Sequence, residues 1–212
     1  MTLASTPSVP FARLRAGWEA AHAPVAGVPR WARIAALAVP LTVLPSGLWR
    51  IAAFAFHLPI LSGDSLDTGT AGGDLPGWVP LEAYVVLLSI LSEAVAFTAV
   101  GMIAGWGEVF PRWLPGLRGR RVPVMAAVIP GLAGAAILTP MWTASVVNCL
   151  VFQETIQGRP LPEGFPIHFH DWQGVLGVVA YAPLLAWGPL LAAVTLAYWR
   201  RRTRVVTGTR AS

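Results

Sequence analysis

Lysine is absent from this 212-residue chain: all fifteen basic residues are Arg. Lys would serve equally well at most solvated positions, so the all-Arg usage reads as coding bias toward GC-rich codons. Charge of either sign is scarce as well, at 12% of residues, where a soluble domain carries about 25%. A single cysteine, Cys149, excludes an internal disulfide and hence a disulfide scaffold. There is no Gly-x-Ser-x-Gly and no Gly-rich phosphate loop, so serine-hydrolase and soluble nucleotide chemistry have no support. What the chain does have is 55% apolar residues, gathered into long runs with the few charges clustered between them. That composition describes an integral membrane protein and excludes a disordered chain or a cytosolic enzyme.

Four runs are long enough to cross a bilayer, which takes about 20 residues of helix over roughly 30 Å of hydrocarbon. They occupy residues 34–57, 79–106, 123–152 and 173–199, and in lipid only helix satisfies their backbone groups. Thirteen of the fifteen Arg lie in the tail 1–33, between the second and third runs, or in the tail 200–212. An excess of Arg marks the cytoplasmic side, so both termini are expected inside and the two acidic loops outside. The expected fold is all-α, an integral membrane four-helix bundle over 34–199 between two cytoplasmic tails. Trp31, Trp106, Trp113 and Trp199 fall near the inner ends, and Trp78 and Trp172 near the outer ends, as interfacial anchors do. Ala53-Phe54-Ala55 has the small-residue pattern of a cleavage site, but Arg50 and the long preceding tail argue against cleavage.

Proline lies inside three spans, as Pro40 and Pro45, Pro130 and Pro140, and Pro183 and Pro189. Each removes a helical hydrogen bond. Curvature that helps packing is the expectation, ahead of a broken helix at a binding site. Gly101 and Gly105, and again Gly131 and Ala135, are four apart and let helix backbones approach closely. Internal packing is the expected use, although a homodimer face would carry the same signature; a homo-oligomer or a membrane-protein partner is open on the sequence. Beyond Leu44-Pro45-Ser46-Gly47 against Val128-Ile129-Pro130-Gly131 the two halves share little, so an internal repeat has weak support.

Arg50 and Glu93 are the two charges deep within apolar runs. A lone charge at that depth costs roughly 2.5–3.5 kcal/mol on the insertion scale, so each should find a partner. Side chains tilt toward the helix N-terminus, which leans Arg50 inward and Glu93 outward. The depth difference between them is roughly 11 Å at ~1.5 Å per residue. An Arg50–Glu93 pair is therefore expected, with Glu82 the rival if Arg50 snorkels outward. The pair serves either to fix helix register or as a polar site for a substrate carboxylate or a proton.

In the second outer loop, His168 and His170 point the same way if the stretch is extended. Asp171, Glu154 or His57 would add a third ligand. Imidazole with carboxylate suits zinc, copper or nickel, so a divalent metal is the one cofactor the sequence suggests. Interfacial polar residues are the plainer reading, and a pH-responsive cluster is another. The Gly- and Asp-rich first outer loop lacks calcium-loop spacing. On the inner side Arg118, Arg120 and Arg121, with Arg200, Arg201 and Arg202, are expected to hold phosphates of an anionic leaflet, at about 1 kcal/mol each. Glu108 is expected to pair with Arg112. The net charge of +5 thus points to membrane lipid and not to nucleic acid.

The inner loop Trp106-Gly107-Glu108-Val109-Phe110-Pro111-Arg112-Trp113, followed by Gly119-Arg120-Arg121-Val122-Pro123, resembles one found in uncharacterised multi-spanning integral membrane proteins of actinobacteria. The likeness covers residues 106–123 and the general span pattern. What the resemblance implies is a bacterial plasma-membrane location; no activity and no functional residue come with it. Three functional readings follow, in this order. The first is a non-enzymatic accessory or hydrophobic-compound-handling protein. The second is a membrane-embedded enzyme with an outward site of His168, His170, Asp171 and His57. The third is a small transporter using Arg50 and Glu93.

Overall fold

A computed structural model of the chain describes residues 25–61, 78–109, 119–154, 158, 160–161, 165, 167 and 169–208, the last four by backbone alone. Helix α1 covers Arg30–Arg50 and runs on as a π turn over Ile51–Ala55. Helix α2 covers Leu81–Gly101, and α3 covers Val124–Val147 with a π turn over Asn148–Phe152. The last span consists of α4 (Trp172–Tyr181), a 3₁₀ segment at Ala182–Ala186, and α5 (Trp187–Gly208). Four stretches, Arg30–Ala55, Leu81–Gly101, Val124–Phe152 and Trp172–Arg204, are long and apolar enough to cross a membrane, with mean hydropathy between 1.5 and 2.0. Among the described residues there are no strands, only two isolated β-bridges. The molecule is an all-α, multi-pass membrane protein.

Three of the helices begin directly after a proline: Pro29, Pro80 and Pro123. Each is the N-cap residue, extended with ψ of 151°, 131° and 135°, and proline there lacks an N–H that the helix start would leave unpaired. The fourth span starts differently. Asp171 sits at its N-cap, and the backbone N–H of Gly174 donates to Asp171 Oδ1 at 2.8 Å.

The face pattern of α1 shows what solvent the bundle is built for. Ile34, Leu37, Leu41, Leu44 and Leu48 recur every three or four residues and point outward, with Ile34 at 69% and Leu41 at 63% exposure. The opposite face is Ala35, Ala36, Val39, Val43, Ser46 and Gly47, all buried. Large residues outside and small ones inside is the arrangement that lipid favours, because lipid tails are as apolar as Leu.

The spans pack in the order second, first, fourth, third. Helix α2 lies on α1, α1 lies on α4 and α5, and α5 lies on α3. The central core is drawn from all four spans, including Ala36, Val39, Ala99, Ala135, Leu184 and Val194. Gly131 and Ala135 are both buried where α3 meets α5, so their spacing serves internal packing. A Cβ on Gly131 would fall 2.6 Å from Thr195 Oγ1 and 3.0 Å from the terminal methyl of Met102. Gly188 plays the reciprocal part on α5, lying against the backbone of Thr139. The other glycine pair works otherwise, because α2 stops at Gly101, short of the expected boundary at 106. The chain turns there, and Trp106 folds back onto Gly101 and stacks on Phe97 with ring centroids 6.4 Å apart. Trp106 is thus a packing residue, whereas Trp31, Trp78, Trp172 and Trp199 are exposed at the span ends; Trp113 lies outside the described residues.

Helices α1 and α3 carry their prolines without a break, while Pro183 coincides with the 3₁₀ segment. Both spans that run from an Arg-rich to an acidic end finish alike, in a π turn followed by a left-handed residue, His57 at φ 50° and Gln153 at φ 56°. Ala53 is buried with Trp49, Leu61 and Ala180, which ties the end of the first span into the bundle.

Gly131→Ala should destabilise the protein by about 1–3 kcal/mol through overpacking, since Thr195 is buried and its hydroxyl is held by the Leu191 carbonyl at 2.7 Å. Gly134→Ala, whose Cβ would sit 3.5 Å from Leu191 in ordinary contact, should change little. Thermal unfolding in detergent checks both, and adding Thr195→Ala to Gly131→Ala should recover most of the loss.

Candidate functional site

The polar groups of the membrane-spanning region converge where all four spans meet. Arg50, the last residue of α1, donates from Nε to Ser89 Oγ on α2 at 3.3 Å. Its guanidinium also lies 5.9 Å from the centre of the Tyr181 ring, at the end of α4. Trp49 from the first span and Trp142 from the third pack on the same ring, with centroids 5.7 and 6.2 Å away. The 3₁₀ segment begins at the next residue, so the irregular turn of the fourth span lies beside this junction.

Arg50 and Glu93 do not pair. Glu93 lies one helical turn beyond Ser89 on α2, and Arg50 reaches only as far as the serine. The Ser89 hydroxyl is engaged twice, accepting from Arg50 and donating to the Val85 carbonyl at 2.8 Å. Nor does Arg50 turn outward to Glu82, whose carboxylate is 3.9 Å from His57 Nε2. Among the described residues no hydrogen bond or ion pair reaches Glu93.

Glu93 instead lines a groove of ≈ 390 Å³ between α1 and α2. Leu44, Gly47, Leu48 and Ile51 form one wall; Ser89, Ile90, Ala94 and Phe97 form the other with Glu93. The groove opens sideways: Leu48 and Ile90 are each 59% exposed. Its volume falls within the range of about 300–1,000 Å³ typical of ligand sites, and a mostly apolar wall with one or two polar groups is their usual chemistry.

A second polar cluster locks the Arg-rich end. Glu108 faces Arg201 at 2.8 Å and Arg202 at 3.6 Å, all three side chains being less than a quarter exposed. Arg201 also donates to the Met102 carbonyl at 3.1 Å and Arg202 to the Val122 carbonyl at 2.8 Å. Tyr198 donates to the Gly107 carbonyl at 3.2 Å, with both guanidinium groups within 5.8 Å of its ring centre. The expectation that Arg201 and Arg202 face lipid phosphate is therefore corrected. The end of α2 leaves carbonyls without helical partners, and these two Arg satisfy one there and one just before α3. Glu108 pairs across the bundle with them; Arg112 and Arg118 lie outside the described residues. Arg120, Arg121 and Arg200 are exposed.

At the acidic end, Asp171 is the helix cap of the fourth span, a sufficient structural reason for its carboxylate. His57 is drawn to Glu82, and His170 is exposed beside Asp171. Among the described residues no three His, Cys, Asp or Glu side chains come together; His168 lies outside them. Cys149 is buried, with Sγ 3.5 Å from the Ile167 carbonyl. Comparison of the chain with protein-family models, with curated proteins and with solved structures finds no match.

Sequence reasoning found Arg50, Glu93 and Glu108 but missed Ser89 and Tyr181, which receive Arg50, and Tyr198, which receives Arg201 and Arg202. Glu108→Ala should cost about 3 kcal/mol by leaving two guanidinium groups buried without their carboxylate, while Arg200→Ala at an exposed site should stay within about 0.5 kcal/mol. Denaturation in detergent measures the difference. Exchanging Arg50 and Glu93 for each other should give no restoration relative to the single changes; Ser89→Ala should show coupling to Arg50→Met in a double-mutant cycle.

Proposed function

We propose that this protein binds an elongated hydrophobic compound that reaches it sideways from the bilayer, and that it acts by binding and not by catalysis. The observation that supports this reading is the groove between α1 and α2, apolar over nearly its whole wall, open to the lipid side and large enough for a ligand. The burial pattern of α1 fits the same setting, since the groove is bounded by the lipid-facing Leu44 and Leu48. We further place the protein in a bacterial plasma membrane with both termini cytoplasmic. The clustering of thirteen Arg at one set of span ends and the resemblance of the 106–123 loop support that orientation and location. Exposed Arg120, Arg121 and Arg200 are then the contacts to anionic headgroups.

The full chain reconstituted in nanodiscs and exposed to a long-chain alkyl diazirine should be labelled preferentially on residues 44–51 and 90–97. Ala94 is exposed on the groove wall, so Ala94→Trp should fill the groove at little cost in folding and remove more than half of that labelling. Uniform labelling of every lipid-facing helix, unchanged by Ala94→Trp, would overturn the reading. A reporter fused after Ser212 should be active only in its cytoplasmic form.

A further inference from the structure

We propose that the groove selects compounds carrying a basic nitrogen flanked by apolar arms, with Glu93 as the group that recognises it. This deepens the binding role proposed above and rests on it. The groove wall holds two polar side chains, Ser89 and Glu93. Ser89 is not available, because its hydroxyl already accepts from Arg50 and donates to the Val85 carbonyl. The nearest cation, Arg50, lies over the Tyr181 ring and is not part of the wall. Glu93 is thus the one carboxyl in an apolar groove with its hydrogen-bonding capacity unused by any described residue.

The chemistry that complements such a group is narrow. An ionised carboxylate standing alone among Leu, Ile and Phe is expensive. An amine removes that cost whichever way the shared proton sits. A neutral acid donating to a neutral nitrogen and a carboxylate accepting from an ammonium have the same net charge of zero. An ether or an alkane of equal shape offers no charge-assisted bond, and a second acid brings a like charge when either group ionises. Along α2, Glu93 stands between Ile90 and Phe97, each about one turn away and both on the groove wall, so apolar surface extends to either side of it. The complementary nitrogen is therefore internal to the chain and not a terminal head group.

The test uses dihexylamine, dihexyl ether and tridecane, which differ only in the central NH, O or CH₂. Each competes against the alkyl diazirine for labelling of residues 90–97 in nanodiscs, at matched mole fraction in the bilayer. In the wild type the amine should compete at least about tenfold better than the other two, the step from a neutral to a charge-assisted hydrogen bond. Glu93→Gln should keep the diazirine labelling and bring the three competitors level. If the three compete equally in the wild type, or if the amine keeps its advantage in Glu93→Gln, the proposal is wrong while the groove remains a site. If labelling is not concentrated on the groove at all, the underlying binding role fails instead. A dimer by light scattering that Ala94→Trp dissociates would put a second copy in the groove and also overturn the proposal.

Discussion

Close approach of helix backbones is the constraint on which this structure depends. In water a bundle is held by driving large apolar residues inward; in hydrocarbon that drive is lost, and contact between small residues takes its place. Ala36 and Ser46 are fully buried on α1, and Gly131 brings α3 against Thr195. On α1 the leucines and the isoleucine face outward. From this one inversion follow the narrow core, the sensitivity of Gly131 to a single added methyl, and the outward wall from which the groove is cut.

Polar groups are then placed where backbone or ring partners exist. The Glu108, Arg201 and Arg202 cluster joins the turn after α2, the lead-in to α3 and the far end of α5. Each of its guanidinium groups meets a carboxylate oxygen, a backbone carbonyl and the face of Tyr198. Arg50 follows the same logic, with a hydrogen bond to Ser89 and with Tyr181, whose ring face and hydroxyl both meet its guanidinium. Glu93 stands apart from both, with no partner among the described residues, and the recognition role proposed for it rests on that contrast.

The four spans were legible because charge avoidance over more than twenty residues is a strong and additive signal, and the described helices fall within a few residues of those boundaries except where α2 stops early at Gly101 and where α5 runs on past 199 to Gly208. The packing order was not legible. Depth along a helix can be counted from sequence, but which face turns to which neighbour depends on the order second, first, fourth, third. Glu93 falls in the middle of its span while Arg50 lies five residues from the end of the first, and the two do not pair because Arg50 reaches Ser89, one turn short of Glu93. Among the described residues the partners of Glu108 are more than ninety residues away in sequence, brought there by the length of α5; the expected partner, Arg112, lies outside those residues. The groove had no sequence signature at all, since it exists only as the space left between two outward faces.

The arrangement also bears on how the chain is made. Spans are synthesised and inserted in sequence, but the first span needs the fourth on its inner face, and the carboxylate at Glu108 waits for guanidinium groups that follow it by more than ninety residues. A half-made chain therefore holds its first helical hairpin in the bilayer with Tyr181's place beside Arg50 unfilled. Closure of the four-span bundle is thus deferred until α5 is in place between the first and third spans.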